Sequence, residues 1–420
     1  MRKPFSTAPV AHIAPIAHIA CIVRDPLPPL RADLLALFGT EMPRHGVATA
    51  LVGQAGGTAQ PAWRAGGLYS VGSFSNRYVS ILTPLWDSLG LLRAWRASTR
   101  RPDCIQVRDK VASGVLARIA AVALRVPFVY WLSFPIVEGY AVRRDELRRQ
   151  GRMLAWLLHA LRAAAARSVL YHLVLPGARH VFVQSDAMAD ALAACGVARA
   201  RMTAVPMGVD TALFDRGQLA PSADPRLDGR RVVLYLGRIA QSRRSDFLLD
   251  VVQLLRASTP EVLLVIAGDA PSSDEMAWMR REIAQRALDG HVLLTGWLPQ
   301  RAALGYAVRA EVGLSPIPRG ALFDVSSPTK LVEYLALGIP CVANDIPDQA
   351  QVLRASGAGL CVPMDAVPFA AAVRRLLADP RLAAGLAARG PGWVRAHRSY
   401  AVLGRHVAET YATILAHGAA

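Results

Sequence analysis

Short apolar runs recur along the chain, each followed by a longer segment whose apolar positions repeat at helical spacing. In the first half the runs are Ile16–Val23, Val47–Val52, Cys104–Val107, Pro127–Trp131 and His180–Gln184. Helical patterns lie between them near 31–44, 78–98, 111–124, 142–175 and 186–195. The second half restarts with Val232–Leu236, Val262–Ala267, Val292–Thr295, Val312–Ser315, Pro340–Ala343 and Gly359–Val362. Helices are expected there near 246–257, 274–288, 300–308, 328–337, 346–355, 366–378 and 380–396. Continuous rather than alternating apolar runs mark strands covered on both faces, so the pattern predicts parallel sheets flanked by helices.

A weakly patterned stretch rich in Pro, Gly and Asp, Asp215–Gly229, interrupts the alternation and reads as a linker. The expected fold class is therefore α/β, with two doubly wound Rossmann-like domains facing a central cleft. The N-terminal domain covers 1–214, the linker 215–230 and the C-terminal domain 231–395. A last helix, 396–420, is available to pack back on the N-terminal domain.

Composition narrows this picture. Of 420 residues 53% are hydrophobic and 19% charged, which excludes a largely disordered chain and supplies a core for each domain. Lys and Arg number 48 against 31 Asp and Glu. The excess is uneven: residues 1–210 hold 25 basic and 12 acidic groups, residues 211–420 hold 23 and 19. Five scattered cysteines without a C-x-x-C, Cys21, Cys104, Cys195, Cys341 and Cys361, argue against a disulfide scaffold or zinc knuckle. Each is expected to be a small buried hydrophobe in a reducing compartment.

Residues 4–23 carry no formal charge, but three prolines and two histidines interrupt them, so they make a poor span or signal core. They read as a loose tail running into the first strand. No other stretch reads as a transmembrane helix, and the expected location is the cytoplasm.

Two places carry candidate chemistry. Leu234–Leu236 ends at Gly237, with Arg238, Arg243 and Arg244 just beyond. Ligands of doubly wound sheets bind past the carboxyl ends of strands, and arginines there suit a diphosphate. The plain alternative is three solvated arginines in an arginine-rich protein. The second place is Ser326-Ser327-Pro328-Thr329-Lys330-Leu331-Val332-Glu333. Ser327 as N-cap and Pro328 as first helical residue predict a helix start. Its free amides and the Lys330 charge make an anion site. Glu333, three residues on, shares the Lys330 side, so it either reaches a neighbouring sugar hydroxyl or pairs with Lys330.

The order of these segments resembles family-4 glycosyltransferases, retaining enzymes of the two-domain GT-B fold. The residues that carry the likeness are Gly237-Arg238, Val265-Ile-Ala-Gly268-Asp269, Thr295-Gly296-Trp297-Leu298-Pro299 and Lys330 through Ala343. Upstream, His180–Ser185 and Val205-Pro-Met-Gly208-Val209-Asp210 with Phe214 are similar to the family's strand-serine segment and its crossover into the donor domain. The resemblance makes the first domain the acceptor side and the second the nucleotide-sugar domain.

It implies that Arg238 and Arg243 hold the donor diphosphate with Lys330, and that Arg244 shares the role. Gly237, Gly268, Asp269, Gly296, Leu298, Ser327, Pro328, Thr329 and Leu331 would line the donor site. Glu333 matches the second glutamate of the family's pair and would hold the ribose hydroxyls. The first glutamate falls on Val325, with Asp324 one residue away, so either Asp324 substitutes or that contact is made otherwise.

The implied activity is transfer of a sugar from a nucleotide-diphosphate sugar to an acceptor hydroxyl, without a cofactor. No Asp-x-Asp occurs in the sequence, so nothing points to a metal. The implied acceptor is a glycan or lipid-linked glycan of bacterial surface polysaccharide assembly. A GT-B epimerase or hydrolase of sugar nucleotides is the alternative. A nucleic-acid-binding protein would explain the basic charge, but no basic-aromatic interleaving supports it, and no nucleic-acid partner is expected.

The first half carries less. After Pro127–Trp131 come Ser133 and Glu138, which either face the acceptor or serve as a cap and a surface carboxylate. Arg143–Arg152 holds five arginines ahead of the apolar Met153–Leu161. The segment 143–175 reads either as a helix lying on an anionic membrane surface or as a long helix packed on the first domain.

Overall fold

The computed structural model describes residues 17–416, apart from 30, 57–62, 64, 74–81 and 99. The expected tail, the first residue of the first strand and the start of the helix expected from 78 lie outside the described residues. The chain divides into two compact units: Met1–Val183 with Ala189–Val205 and Tyr400–Ala420, and Gln184–Met188 with Pro206–Ser399.

The first unit is built on a parallel sheet of β1 (Ala17–Ile22), β2 (Val47–Ala55), β3 (Leu68–Ser73), β4 (Cys104–Arg108), β5 (Phe128–Leu132), β6 (His180–Val183) and β7 (Met202–Ala204), in the order β3-β2-β1-β4-β5-β6-β7. Strand order reverses between β1 and β4, which pair with Ile19 opposite Cys104 and Ile22 opposite Val107. Every residue of β1, β4 and β5 is buried, as expected of central parallel strands. Trp131 packs edge-on to Phe38 at 5.0 Å and stacks on Phe182 at 4.7 Å. The Tyr400–Ala416 helix closes this core through Tyr411, whose hydroxyl donates to the Gln106 side chain. Gly404 allows the approach, because a Cβ there would meet the Glu41 Cβ at 2.5 Å.

The second unit is a parallel sheet of β8 (Arg231–Leu236), β9 (Val262–Ala267), β10 (Val292–Gly296), β11 (Val312–Ser315), β12 (Cys341–Asn344) and β13 (Gly359–Val362), in the order β10-β9-β8-β11-β12-β13. Its order reverses between β8 and β11. One face buries Phe247 against Phe369 edge-on at 5.3 Å. The other buries Leu331, Tyr334 and Leu335 of the Thr329–Ala336 helix against Val394.

Several expectations need correction. The 215–230 segment is not a free linker: Phe214 and Leu227 are buried in the second unit, and Arg216 donates to the carbonyl of Val308 at 2.9 Å. The chain passes between units at Val205–Pro206 and returns at Ser399–Tyr400, because apolar anchors, not composition, decide where a segment packs. The single helix expected over 142–175 is two, Ile136–Arg149 and Met153–Val169, parted at Gly151 with φ +69. Ser327 does not cap its helix. Pro328 stands at the cap position, and the Ser327 hydroxyl is used elsewhere.

β3 and β7, one with a single buried residue and one three residues long, had no expected counterpart. Of the cysteines, Cys361 is exposed and Cys195 half-buried. One continuous helical run, Met153–Gly177, is long and apolar enough to cross a membrane by length and composition, since only two charges interrupt it.

Candidate active site

Three neighbouring strands of the second unit end in glycines: Gly237 after β8, Gly268 after β9 and Gly296 closing β10. The Gly237 amide donates to Ala267 at 3.1 Å, and Gly268 bridges to Gly296. Gly268 is required by space, since a Cβ there would stand 2.1 Å from the Gly237 carbonyl oxygen. The backbones therefore form a shallow floor without side chains at the carboxyl edge of the sheet, where such folds bind ligands.

The loop after Gly237 is pinned at both ends. Ile239 donates its amide to the Asp269 carbonyl at 3.1 Å, and Ser245 accepts from the Ala240 amide at 3.1 Å. Between these anchors the chain turns at 241–243 and leaves with Arg244 at φ +49. Arg238, Arg243 and Arg244 are exposed on this loop and form no ion pair among the described residues. Asp269 turns its carboxylate back onto the Ala270 amide at 2.8 Å. Leu298 is half-buried beside the exposed Trp297.

Lys330 comes up against this floor from the first turn of the Thr329–Ala336 helix. Its Cε lies 3.4 Å from where a Gly237 Cβ would stand. The side chain is buried, with Nζ 4.6 Å from the centre of the Tyr235 ring and 3.5 Å from the Tyr235 hydroxyl. No carboxylate lies within ion-pair distance of it among the described residues. The Lys330–Glu333 surface pair weighed from the sequence is therefore absent. Burial without counter-charge is costly for an ammonium, and the amides of Thr329 and Leu331 at the same helix start add donors that the helix leaves unsatisfied.

Glu333 is half-buried one turn along. Desolvation pushes its carboxyl up to about 7, against the pull of Lys330. Asp324 points elsewhere: Arg319 donates to it through Nε at 2.8 Å. Val325, where the family has a glutamate, instead accepts the Ser185 hydroxyl on its carbonyl at 2.6 Å.

Ser327 belongs to a buried network. Its hydroxyl donates to Asp348 at 2.9 Å and accepts from the Met207 amide and from Arg398. Arg398 completes the triangle with Asp348 at 2.6 Å. This network holds the segment that delivers Thr329 and Lys330. The structure thus brings Gly237, Gly268, Gly296 and Lys330 together, keeps Glu333 nearby on the same helix, and assigns Ser327 and Asp324 to internal contacts.

A family described as "Glycosyltransferase Family 4" matches residues 35–213, and one described as "Glycosyl transferases group 1" matches residues 230–379. The chain belongs to the family-4 glycosyltransferases. A phosphatidyl-myo-inositol mannosyltransferase of Mycolicibacterium smegmatis is 32% identical over 218 residues, 50% of this chain and 51% of that protein. An alpha-D-kanosaminyltransferase of Streptomyces kanamyceticus is 28% identical over 45% of this chain and 47% of its own. The chain spans about half the length of these curated relatives.

Among solved structures, Anabaena HepE in complex with UDP superposes with TM-score 0.66 at 17% identity, covering 94% of this chain and 100% of that one. The sucrose-phosphate synthase of Thermosynechococcus elongatus gives 0.71 at 19% identity, over 95% and 99%. These likenesses show the fold, GT-B with two Rossmann-like domains.

The family-4 chain also holds polar residues that sequence reasoning passed over. In the first unit the wholly buried Arg108 pairs with Asp33, between the Phe38 and Trp131 rings. Burial alone would raise the Asp33 carboxyl, but Arg108 and Arg31 outweigh it and hold it at about 2. Lys110 donates to both Asp87 oxygens at 2.9 Å and to Gln54 at 3.1 Å, which uses all three of its protons. Of the two residues weighed from the sequence, Ser133 gives its amide and hydroxyl to Asp109 and so serves as a local tie, while Glu138 sits half-buried in the first turn of its helix. Tyr235, Tyr334 and Arg398 were also passed over. Their partners lie tens of residues away, and no local spacing announces them.

Proposed function

We propose that this chain is a retaining glycosyltransferase that moves a sugar from a nucleotide-diphosphate sugar to an acceptor hydroxyl without a metal ion. The observation that carries the reading is Lys330: a buried ammonium with no carboxylate partner among the described residues, at a helix start, against a glycine floor. A diphosphate supplies the charge this ammonium lacks. Arg238 and Arg243, with Arg244 beside them, are free to add charge from the loop, and Glu333 accepts the ribose hydroxyls. Preorganised positive charge stabilises a departing diphosphate, commonly the largest catalytic contribution.

In the proposed reaction the bond from the anomeric carbon to the diphosphate oxygen breaks while the acceptor oxygen bonds to that carbon on the same face. The acceptor proton passes to the departing diphosphate. The matched mannosyltransferase, named for phosphatidyl-myo-inositol, favours an acceptor carried on lipid in surface glycan assembly. A nucleotide-sugar donor and such an acceptor favour action in the cytoplasm, at the inner face of the membrane.

Calorimetry against uridine and guanosine diphosphate sugars in excess chelator tests the donor site. Saturable binding is expected, and binding that requires magnesium would overturn metal independence. Nucleotide release is then followed with and without an acceptor fraction from lipid extracts. Transfer with unchanged anomeric configuration is expected, whereas rapid donor turnover without acceptor would make the chain a hydrolase or epimerase.

A further inference from the structure

Large apolar side chains are unevenly exposed over this molecule. Among the described residues nineteen are exposed, and fifteen of them fall between Leu82 and Leu173. The second unit holds only Leu254, Trp297 and Val367. Scattered exposed apolar residues need no explanation, but a concentrated set on one surface does.

The set has order. On the Thr83–Ala97 helix, Leu82, Leu85, Leu89 and Leu92 recur at alternating spacings of three and four, which makes a single stripe. On the Met153–Val169 helix, Met153, Leu154, Leu157, Leu158 and Leu161 fall on one broad face, and Leu154 is 74% exposed. Only Ala163 of that helix is buried. Between them stands the Val111–Leu124 helix, which packs on both and exposes Ile119 and Val122. The Ile136–Arg149 helix pairs with Met153–Val169 as a hairpin, where Arg162 covers the Tyr140 ring at 5.1 Å. The four helices therefore form one layer of the first unit, with apolar side chains turned outward along its width.

Charge selects what meets this layer. Residues 82–173 contain fifteen Lys and Arg against six Asp and Glu. Asp87 and Asp109 among the acids are buried and paired inward. Arg148, Arg149 and Arg152 are exposed at the hairpin tip beside Met153 and Leu154, without an ion pair among the described residues. An apolar face bordered by unpaired arginines is the pattern of a helix lying in a membrane interface, where leucines enter the acyl boundary and arginines meet phosphate headgroups. A second copy of the chain would bring the same arginines against one another.

We propose that the helical layer from Leu82 to Leu173 docks on an anionic lipid bilayer, through the leucine stripes of the Thr83–Ala97 and Met153–Val169 helices and the arginines at the hairpin tip. This goes beyond the proposed reaction, because the layer belongs to the first unit and the donor residues to the second, and its role is read without turnover.

The test is co-sedimentation of the full chain with vesicles of phosphatidylcholine alone and of phosphatidylcholine mixed with phosphatidylglycerol. Binding to the mixed vesicles only is expected, weakening as salt screens the arginines. The paired substitutions L154E/L158E and L85E/L89E, one on each leucine-bearing helix, should each weaken binding at least about tenfold. V367E on the second unit should leave it unchanged. R148Q/R149Q/R152Q should flatten the salt dependence while the leucines stay in place. Melting curves and nucleotide-sugar calorimetry on the same variants should match wild type, so loss of lipid binding is separable from misfolding and from failure of the donor reading. Equal binding to neutral vesicles, no binding, or wild-type binding by either leucine pair would overturn the proposal. So would a vesicle-free dimer that L154E/L158E converts to monomer, since the face would then join two copies of this chain.

Discussion

The Tyr334 hydroxyl accepts the backbone amide of Leu236 at 2.7 Å, one residue before Gly237. Tyr334 is wholly buried on the Thr329–Ala336 helix, and its ring lies against Gly313, where a Cβ would come within 2.5 Å. One side chain thus ties the end of β8 to the helix that carries Lys330 and Glu333. The two halves of the candidate site are referenced to each other through a hydrogen bond, not only through packing.

Tyr334→Phe keeps the ring and removes this tie. A buried amide left without its acceptor costs about 1–3 kcal/mol, so the melting temperature should fall by several degrees. Nucleotide-sugar affinity should fall too, because Gly237 loses its register against Lys330. Calorimetry and a melting curve check both. A variant that melts lower yet binds donor like wild type would confine the hydrogen bond to stability.

Glu333 is expected to set the pH dependence of donor binding. Its folded value of about 7 stands above the ordinary carboxyl value, so the group is neutral below pH 7 and charged above it. Ribose hydroxyls are held better by the carboxylate, so donor affinity should rise with pH through about 7 and level off beyond, by at most about tenfold per pH unit. The stability effect has the opposite sign. A raised carboxyl value favours folding at low pH, and that contribution is lost as pH rises through 7. Glu333→Gln should therefore flatten the affinity profile and melt higher than wild type at pH 8 but not at pH 5. A nucleotide sugar is the probe, since its diphosphate does not itself titrate near neutrality.

The network of Ser327, Asp348 and Arg398 should be sensitive in another way. Arg398→Met leaves Asp348 buried without its cation, and breaking one side of such a pair costs about 3–5 kcal/mol. The double variant Arg398→Met/Asp348→Leu removes both charges and should recover much of the loss. If the single and double variants melt alike, the ion pair contributes little to holding the segment before Thr329.

How much of this was legible in the chain depended on whether the cause was local. β9, β11 and β13 match the expected runs residue for residue; for β9 and β11 the cause is that a strand covered on both faces must be apolar throughout, whereas β13 is a half-buried edge strand that is apolar all the same. β3 escaped because it buries only one of its six residues, at the sheet edge, and β7 because three residues make no pattern. The break at Gly151 was hidden by apolar spacing that continues across it. Gly237 and Lys330 were singled out by a strand end and a helix start, and Gly268 by the order of motifs. The fates of Ser327 and Asp324 were not, since each is decided by a partner brought in by folding: Asp348 and Arg398 for one, Arg319 for the other. A good N-cap residue was recruited by a stronger, distant charge.

Lys330 separates function from stability most sharply. Its ammonium is desolvated, rests on the Tyr235 ring and meets no carboxylate among the described residues. A charge in that position weakens the empty protein, and an apolar side chain of similar length should fit the same space at no such cost. Lys330→Met is therefore expected to melt at or above the wild-type temperature, while nucleotide-sugar affinity and turnover collapse. Lys330→Arg keeps the charge but brings a planar fork into a space bounded by Gly237 and Tyr235, so it should impair turnover substantially despite its charge. Initial rates at saturating donor, read beside melting curves for both variants, decide the matter. A Met variant that melts well below wild type would show the ammonium to be a structural contact. An Arg variant with wild-type turnover would show that charge alone, without the compact shape of lysine, is what the site requires.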